Sequence, residues 1–354
     1  MLEVRPFAGT PDELADFIVS AWQSTYAGKM SVPQWSGDYF RWQLRLDEPD
    51  SAQRLKAVYR GEELVGTMLY VPMTFEMAGQ RVQAAQASWL SVPAEHRGQG
   101  IGRMLHQAAQ IQLRQEGLEF RLGYGYTGSK VSLGPGFWKK QAGDVSTVPR
   151  RAGFWGRLLD AGRAAAWNVN RGEAWLTGAA RPFVFQPRRR NPGGIEIRPI
   201  KAEDIPVCLD LAERATGHCD LRLIWNADRL SRQLGLHGFG RALVAVENGV
   251  VRGCIGFHVL PIAGRTVEPI GILDLVFVSE LSTAARNELL NSVLLEMHQE
   301  GAIMALKLRT GDYPTRTFLK PDWFLKPADM DVIITGTDTN MTIPPLRRLH
   351  VLWR

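Results

Sequence analysis

The chain has 354 residues, more than a single hydrophobic core of ordinary size accommodates, so two domains are expected. Hydrophobic residues make up 45% and charged residues 22%, a balance that excludes a disordered or membrane-spanning chain. The formal net charge of +6 suits an anionic partner, which leaves a phosphorylated cofactor, a membrane surface and nucleic acid as candidates.

Residues 1–6 alternate apolar and charged side chains without the apolar run of a secretory signal, which points to the cytoplasm. Cys208, Cys219 and Cys254 have neither metal-ligand spacing nor an even count. They read as reduced structural thiols, and no metal is expected.

In chain order, Leu2-Glu3-Val4-Arg5-Pro6 predicts a strand. Thr10 then caps a helix, with Glu13 completing a capping box, Pro11 in the first turn, and Leu14, Phe17, Ile18, Ala21 and Trp22 on one face. Residues 55–59 and 64–70 flank a turn at Arg60-Gly61-Glu62 and predict a hairpin. A third strand ends at Trp89-Leu90-Ser91-Val92. The long helix after it carries Met104, Leu105, Ala108 and Ile111 at helical spacing and stops at Gly117, ahead of a buried strand at 118–122.

The second half repeats this order. Ile195-Glu196-Ile197-Arg198-Pro199 leads into a helix with Ile205, Leu209 and Ala212, and residues 242–246 and 250–257 flank a turn at Glu247-Asn248-Gly249. A strand ends at Leu275-Val276-Phe277-Val278, a helix carries Leu290, Val293, Leu294 and Met297 up to Gly301, and a strand follows at 303–307. Gly66 and Gly253 fall at equivalent places. The repetition predicts a duplicated α/β domain with a mixed sheet, of the α+β kind, over residues 1–147 and 195–354.

Residues 148–194 fit neither copy and hold nine arginines against Asp160 and Glu173, which predicts a basic connector. From Phe154 through Leu158, Ala161 and Ala165 to Val169 the apolar spacing is helical. Packing of this helix on protein is the favoured reading, and contact of residues 154–170 with an anionic membrane is the alternative. Arg188-Arg189-Arg190 and Arg347-Arg348 are not interleaved with aromatics, so no nucleic-acid partner is expected.

The chemistry concentrates between the third strand and the long helix, in Ser91-Val92-Pro93-Ala94-Glu95-His96-Arg97-Gly98-Gln99-Gly100-Ile101-Gly102-Arg103. Glycines at alternate positions strip side chains from the turn, so backbone N–H groups converge on one anion and the helix N-terminus adds its partial positive charge. A diphosphate fits that cradle, with Arg97 at its entrance. A nucleoside-triphosphate loop needs Gly-Lys-Ser/Thr where this chain has Gly102-Arg103-Met104, and a dinucleotide fingerprint belongs near the first strand of a parallel repeat.

Arg97-Gly98-Gln99-Gly100-Ile101-Gly102 resembles the Gln/Arg-x-x-Gly-x-Gly/Ala signature of the GNAT acetyltransferase superfamily. The resemblance extends by topology over residues 1–145 and 195–340 and implies two tandem GNAT-like acyltransferase domains. It implies acetyl-CoA as acyl donor, its diphosphate held by Arg97, Gly98, Gln99, Gly100, Ile101, Gly102 and Arg103. Leu90, Ser91 and Val92 offer backbone groups to the pantetheine arm, and an N–H near Leu90 meets the thioester oxygen as it becomes an oxyanion. The second copy has no glycine between Val278 and Arg286 and puts Glu280 near the phosphate position, which makes it degenerate.

The resemblance also implies a base, an acid and an acceptor site. The usual glutamate is absent from Gln83-Ala84-Ala85-Gln86-Ala87-Ser88-Trp89, which leaves Gln86 or Ser88 holding a water, or Glu3 or Asp38 reaching in from elsewhere. For the acid, Tyr126 is preferred over Tyr124, and the family's Gly-Phe survives at Gly136-Phe137 within Gly134-Pro135-Gly136-Phe137-Trp138. Trp22, Tyr39 and Trp42 are candidates for acceptor contact, with a role as core anchors as the alternative. The expected reaction is acetyl transfer to the amine of a small molecule, an amino sugar being one candidate. The alternatives are another acyl donor or a non-catalytic acyl-CoA sensor or scaffold.

Overall fold

The computed structural model describes all residues except 47, 49, 50, 128–135, 138–145, 189–193, 339 and 340. Gly134, Pro135, Trp138, Arg189 and Arg190, named above, lie outside the described residues. The chain divides into two compact units, and neither is a continuous stretch. The first is Met1–Ala152 with Ala328–Leu346 and Arg354, and the second is Gly153–Pro327 with Arg347–Trp353.

In the first unit, β1 (Leu2–Pro6), β2 (Leu55–Arg60), β3 (Glu63–Met77) and β4 (Gln80–Ser91) form an antiparallel run. β5 (Phe120–Tyr126) joins β4 in parallel. Its longer helices among the described residues are α1 (Pro11–Tyr26), α2 (Gly37–Leu44) and α3 (Ile101–Gln115). The capping box of α1 forms as predicted, Thr10 accepting from the Glu13 N–H at 3.2 Å and Glu13 accepting from the Thr10 N–H at 2.6 Å. The apolar stripe of α3 is rotated from the predicted one. Ile101, Leu105, Ala109 and Leu113 are buried against the sheet, whereas Ile111 is exposed. A Cβ on Gly66 would lie 2.6 Å from Ile101 Cγ2, so the bare backbone at Gly66 is what lets α3 begin close against β3.

The largest departure from the sequence reading is β6 (Ser146–Leu158), a strand where a connecting helix is predicted. Its first part belongs to the first unit, and its last residues, from Phe154 to Leu158, belong to the second. The i, i+4, i+7 spacing of Phe154, Leu158 and Ala161 imitates a helix, but the close approach at Gly153 and Gly156 and the pairing of residues 154–158 in a sheet decide otherwise. A Cβ on Gly153 would stand 2.4 Å from the Lys326 carbonyl oxygen, and one on Gly156 would stand 2.2 Å from the Phe324 ring. The short helices α4 (Ala161–Trp167) and α5 (Arg171–Ala179) follow. α4 packs on the second unit through Ala164, and Trp167 donates its indole N–H to the Ile262 carbonyl at 2.8 Å.

The second unit repeats the sheet as β7 (Ile195–Pro199), β8 (Arg241–Glu247), β9 (Val250–Ala263) and β10 (Val267–Phe277), with β11 (Met304–Leu308) parallel to β10. α6 (Ile205–Thr216) and α7 (Thr283–Gln299) hold the places of α1 and α3 in chain order. The predicted face of α7 is buried at Leu290, Val293, Leu294 and Met297. Gly253 does for this unit what Gly66 does for the first, since a Cβ there would meet Leu281 at 2.5 Å.

Each sheet is completed by a strand from outside its own repeat. Residues 154–158 of β6 pair antiparallel with β11 in the second unit. Residues 330–336 of β12 (Phe324–Gly336) pair antiparallel with β5 in the first unit, Met330 opposite Tyr126 and Gly336 opposite Phe120. The colinear division into 1–147, 148–194 and 195–354 thus gives way to an interleaved one, because edge pairing follows geometry and not chain order. Among the described residues, no helix is long and apolar enough to cross a membrane, and Cys208, Cys219 and Cys254 are free thiols.

Candidate active site

The site of the first unit is built from a split in its sheet. β4 and β5 pair only at Ala85 with Arg121 and Gln86 with Leu122, although β4 runs on to Ser91 and β5 to Tyr126. Beyond that point the two strands present backbone groups that no ladder satisfies, a slot for an extended ligand. Gly123 stands at its closed end, where a Cβ would lie 3.4 Å from the Ala87 carbonyl oxygen.

A bulge opens the slot. The register between β3 and β4 shifts between Thr67 opposite Ser91 and Leu69 opposite Ser88, and Trp89 in the shifted stretch has φ +55°. A side chain bearing this left-handed backbone costs about 1–2 kcal/mol, which the surroundings must offset. Trp35, Tyr39 and Phe40 pack edge-on around the Trp89 ring with centroids 5.1–6.3 Å away. The Trp89 carbonyl accepts from the Ser91 hydroxyl at 3.2 Å and the Thr67 hydroxyl at 3.4 Å, and Trp22 donates its indole N–H to Ser91 at 2.9 Å. The bulge is thereby tied to α1.

This arrangement reassigns the aromatic residues. Tyr39 and Trp42 are buried, with ring contacts to one another and, for Tyr39, to Phe40 and Trp89, so they brace the bulge from behind and are not open to an acceptor. Trp22 is half-buried and commits its N–H to Ser91.

Immediately after β4 the chain forms the glycine turn. Gly98 has φ +76° and Gly100 φ +82°, and nothing lies within 4 Å of a Cβ built on either. Gly100 is the N-cap of α3 and contributes no side-chain cap, so the first-turn N–H groups at Ile101, Gly102 and Arg103 face the cradle without one. Gly102 has a different role from the one its spacing suggests: a Cβ there would sit 2.9 Å from the Phe137 ring, so it makes room for packing. Arg97 is also committed, its Nε donating to the Val92 carbonyl at 3.1 Å and its Nη2 to the Thr25 hydroxyl. It fastens the turn to α1, and Arg60 holds Gln99 in the same way.

Gln86, Tyr124 and Tyr126 share one face of the sheet. Arg121 touches His106 on α3, and Ala85 lies in the core that α3 covers, so strand alternation puts Gln86, Leu122, Tyr124 and Tyr126 on the opposite face. Gln86 is buried and the two tyrosines are half-buried. Burial lowers Arg121 to about 9, and burial followed by the charge of Arg121 holds the His106 imidazole down to about 4. Asp329 of β12 lies opposite Thr127, its backbone carbonyl accepting from the Thr127 N–H at 2.6 Å, and alternation from the Met330–Tyr126 pair puts its side chain on the face away from Tyr126. Only the pairing of β12 with β5 brings it here, from a part of the chain remote in sequence, and no local pattern signals that.

In the second unit the corresponding features are filled in. Ser282 caps α7 by accepting from the Ala285 N–H at 3.2 Å, and Glu280 is paired with Arg214 and, at 3.6 Å, with Arg252. Across the matching split, where β10 and β11 pair no further than Ile272 with Leu306, Lys307 Nζ donates to the Asp274 carbonyl at 2.8 Å. Asp274 is in turn held by His258 at 2.7 Å. The side chain of Lys307 thus supplies a donor to a backbone carbonyl in the split of this unit.

A second buried group adjoins Lys307. Trp225 donates to His350 Nε2 at 2.8 Å, which leaves the ring proton on Nδ1 for Asp312 at 2.8 Å, and the Thr310 hydroxyl also donates to Asp312. Burial pushes the Asp312 carboxyl up, but the charge of Lys307 and the hydrogen bonds of His350 and Thr310 outweigh it and hold the group down to about 2. A depressed carboxyl contributes stability above its unfolded value near 4 and loses it as the pH falls toward 2. Acid unfolding should therefore show about 2 kcal/mol lost across that window, and Asp312→Asn should flatten the same stretch of the profile.

A mixed sheet split between its central parallel strands, with a bulge on one of them leading into an uncapped helix, is the GNAT fold. Residues 9–131 match the family model described as an acetyltransferase (GNAT) domain, and the second unit repeats the order of the first unit's main strands and helices. No curated protein sequence matches the chain. Among solved structures it is similar to Saccharomyces cerevisiae N-myristoyltransferase with bound myristoyl-CoA, with TM-score 0.75 and 13% identity over 99% of this chain and 89% of that one. It is also similar to a GCN5-related N-acetyltransferase from Kribbella flavida, with TM-score 0.54 and 16% identity over 94% and 70%. A third is a GCN5-related N-acetyltransferase from Anabaena variabilis, with TM-score 0.54 and 12% identity over 94% and 72%.

Proposed function

We propose that the first unit is an acyltransferase site that takes an acyl group from acyl-CoA, acetyl-CoA being the simplest donor, to the amine of an acceptor. The observation that carries the reading is the open slot between β4 and β5 leading directly into the open cradle at Gly98 and Gly100. A diphosphate suits the turn because both glycines have positive φ, nothing among the described residues lies within 4 Å of a Cβ built on either, and the N-terminus of α3 has no side-chain cap. Acyl-CoA supplies the acyl group as a thioester. The backbone N–H groups of the bulge at Trp89-Leu90 are the donors for a developing negative charge on the acyl oxygen, preorganised by the aromatic packing behind them.

Tyr126 is the residue we assign to proton delivery to the departing sulfur, with Tyr124 as the second choice. Gln86, on the same face, orients the amine or holds a water through which the amine loses its proton. Tyr126→Phe should lower kcat about 100-fold with little change in KM for the donor, measured by release of free CoA thiol against a panel of amines that includes amino sugars. An unchanged kcat would remove Tyr126 from the mechanism. A long-chain donor is the second reading, supported by the likeness to the N-myristoyltransferase fold over 99% of this chain. Parallel titrations with acetyl-CoA and myristoyl-CoA separate the two donors, and binding without turnover of any amine would favour a sensor.

A further inference from the structure

We propose that residues 171–188 of the second unit form a docking surface for an anionic lipid membrane. α5 has no buried residue, so core formation does not account for it. Trp175 and Leu176 on α5 are 72% and 61% exposed, and Phe183 and Phe185 in the segment after it are 73% and 69% exposed. Four large apolar side chains within eleven residues make a patch of the kind that soluble surfaces ordinarily avoid. Arg171, Arg181 and Arg188 are exposed among them. The single acid of the stretch, Glu173, is at the N-terminal end of α5, where Asn168 donates to it at 3.2 Å.

Aromatic and leucine side chains interleaved with arginine suit the headgroup boundary of a bilayer, where rings enter the acyl edge and guanidinium groups meet lipid phosphates. A second copy of the chain suits the patch less well. A two-fold contact would bring the arginines of one patch against those of the other, with one glutamate on each side to offset them. The sequence-based alternative of membrane contact through 154–170 does not survive, because Phe154, Trp155, Leu159, Ala161 and Ala164 are buried. The apolar, basic surface lies further along the chain.

The proposal is tested by co-sedimentation of the whole protein with vesicles of pure phosphatidylcholine and with vesicles containing phosphatidylglycerol. Binding to the anionic vesicles should exceed binding to neutral ones at least tenfold at low salt and fall steeply at 0.5 M salt, where screening is strong (about 3–10 Å Debye length between 1 M and 0.1 M). Trp175→Ser combined with Phe183→Ser should lower partition at least tenfold without shifting the melting temperature, since both side chains are exposed. Arg171→Glu with Arg181→Glu should do the same to the anionic preference alone. Equal sedimentation with both vesicle types, or retention of binding by both double variants, would overturn the proposal. So would a concentration-dependent dimer that Trp175→Ser with Phe183→Ser dissolves, which would assign the patch to a second copy.

Discussion

Gly100→Glu should abolish measurable acetyl-CoA binding to the whole protein, weakening it at least 100-fold, about 2.7 kcal/mol. Two effects add at this position. A side chain at φ +82° strains the turn by about 1–2 kcal/mol. The carboxylate then faces the cradle, where α3 offers first-turn N–H groups and Gly100 itself supplies no cap, and it competes with the diphosphate for the same donors. Gly100→Ala separates the contributions, since it carries the strain without the charge, and about a tenfold loss is expected from it. Gly102→Ala is the useful contrast, because the Phe137 ring and not an anion is what its Cβ would meet. Calorimetric titration of the three variants checks the order. If Gly100→Glu binds acetyl-CoA as the natural chain does, the cradle is not the cofactor site.

Trp89→Ala should destabilise the first unit by about 3–5 kcal/mol in urea unfolding, the usual cost of deleting a large buried aromatic. The indole is 5% exposed and enclosed by Trp35, Tyr39 and Phe40. Trp89→Gly removes the same ring but also the strain at φ +55°, so it should be more stable than Trp89→Ala by about 1 kcal/mol. That inversion of the usual order of alanine and glycine is specific to a left-handed residue. Both variants should lose most acyl transfer, because the bulge orients the backbone donors of the slot. Equal stability of the two variants would mean that the bulge relaxes once the ring is gone.

The two results would bear on different parts of one device. On the proposed function Gly98 and Gly100 hold an anion through backbone alone, while Trp89 and its neighbours brace the bulge beside the slot. Trp22, Tyr39 and Trp42, attractive as acceptor contacts, support the slot instead. Trp22 bonds Ser91, Tyr39 packs on Trp89, and Trp42 packs on Tyr39. On the proposed function the acceptor belongs to the face that carries Gln86, Tyr124 and Tyr126.

By itself the sequence determined what short-range physics decides. The capping box at Thr10 and Glu13, the hairpin turns at Gly61 and at Asn248-Gly249, the helix stops at Gly117 and Gly301, and the positive-φ glycines of the cradle depend on neighbours a few residues away. The duplication was legible for the same reason, since Gly66 and Gly253 recur at the same step of each repeat and relieve the same crowding. Only the tertiary structure decided what depends on partners distant in the chain. Residues 154–158 carry an apolar spacing that suits a helix, and the Lys326 carbonyl and Phe324 ring against Gly153 and Gly156 exclude side chains there and leave a strand. Asp329 comes to lie beside Thr127, and Met330 beside Tyr126, only because β12 completes the first sheet. Arg97 is drawn from the cradle to Val92 and Thr25, and Lys307 donates to a carbonyl in the second split, through contacts that no local period encodes. Local geometry is set by backbone preference and nearest neighbours, whereas the filling of a site is set by whichever side chains the completed sheets bring together.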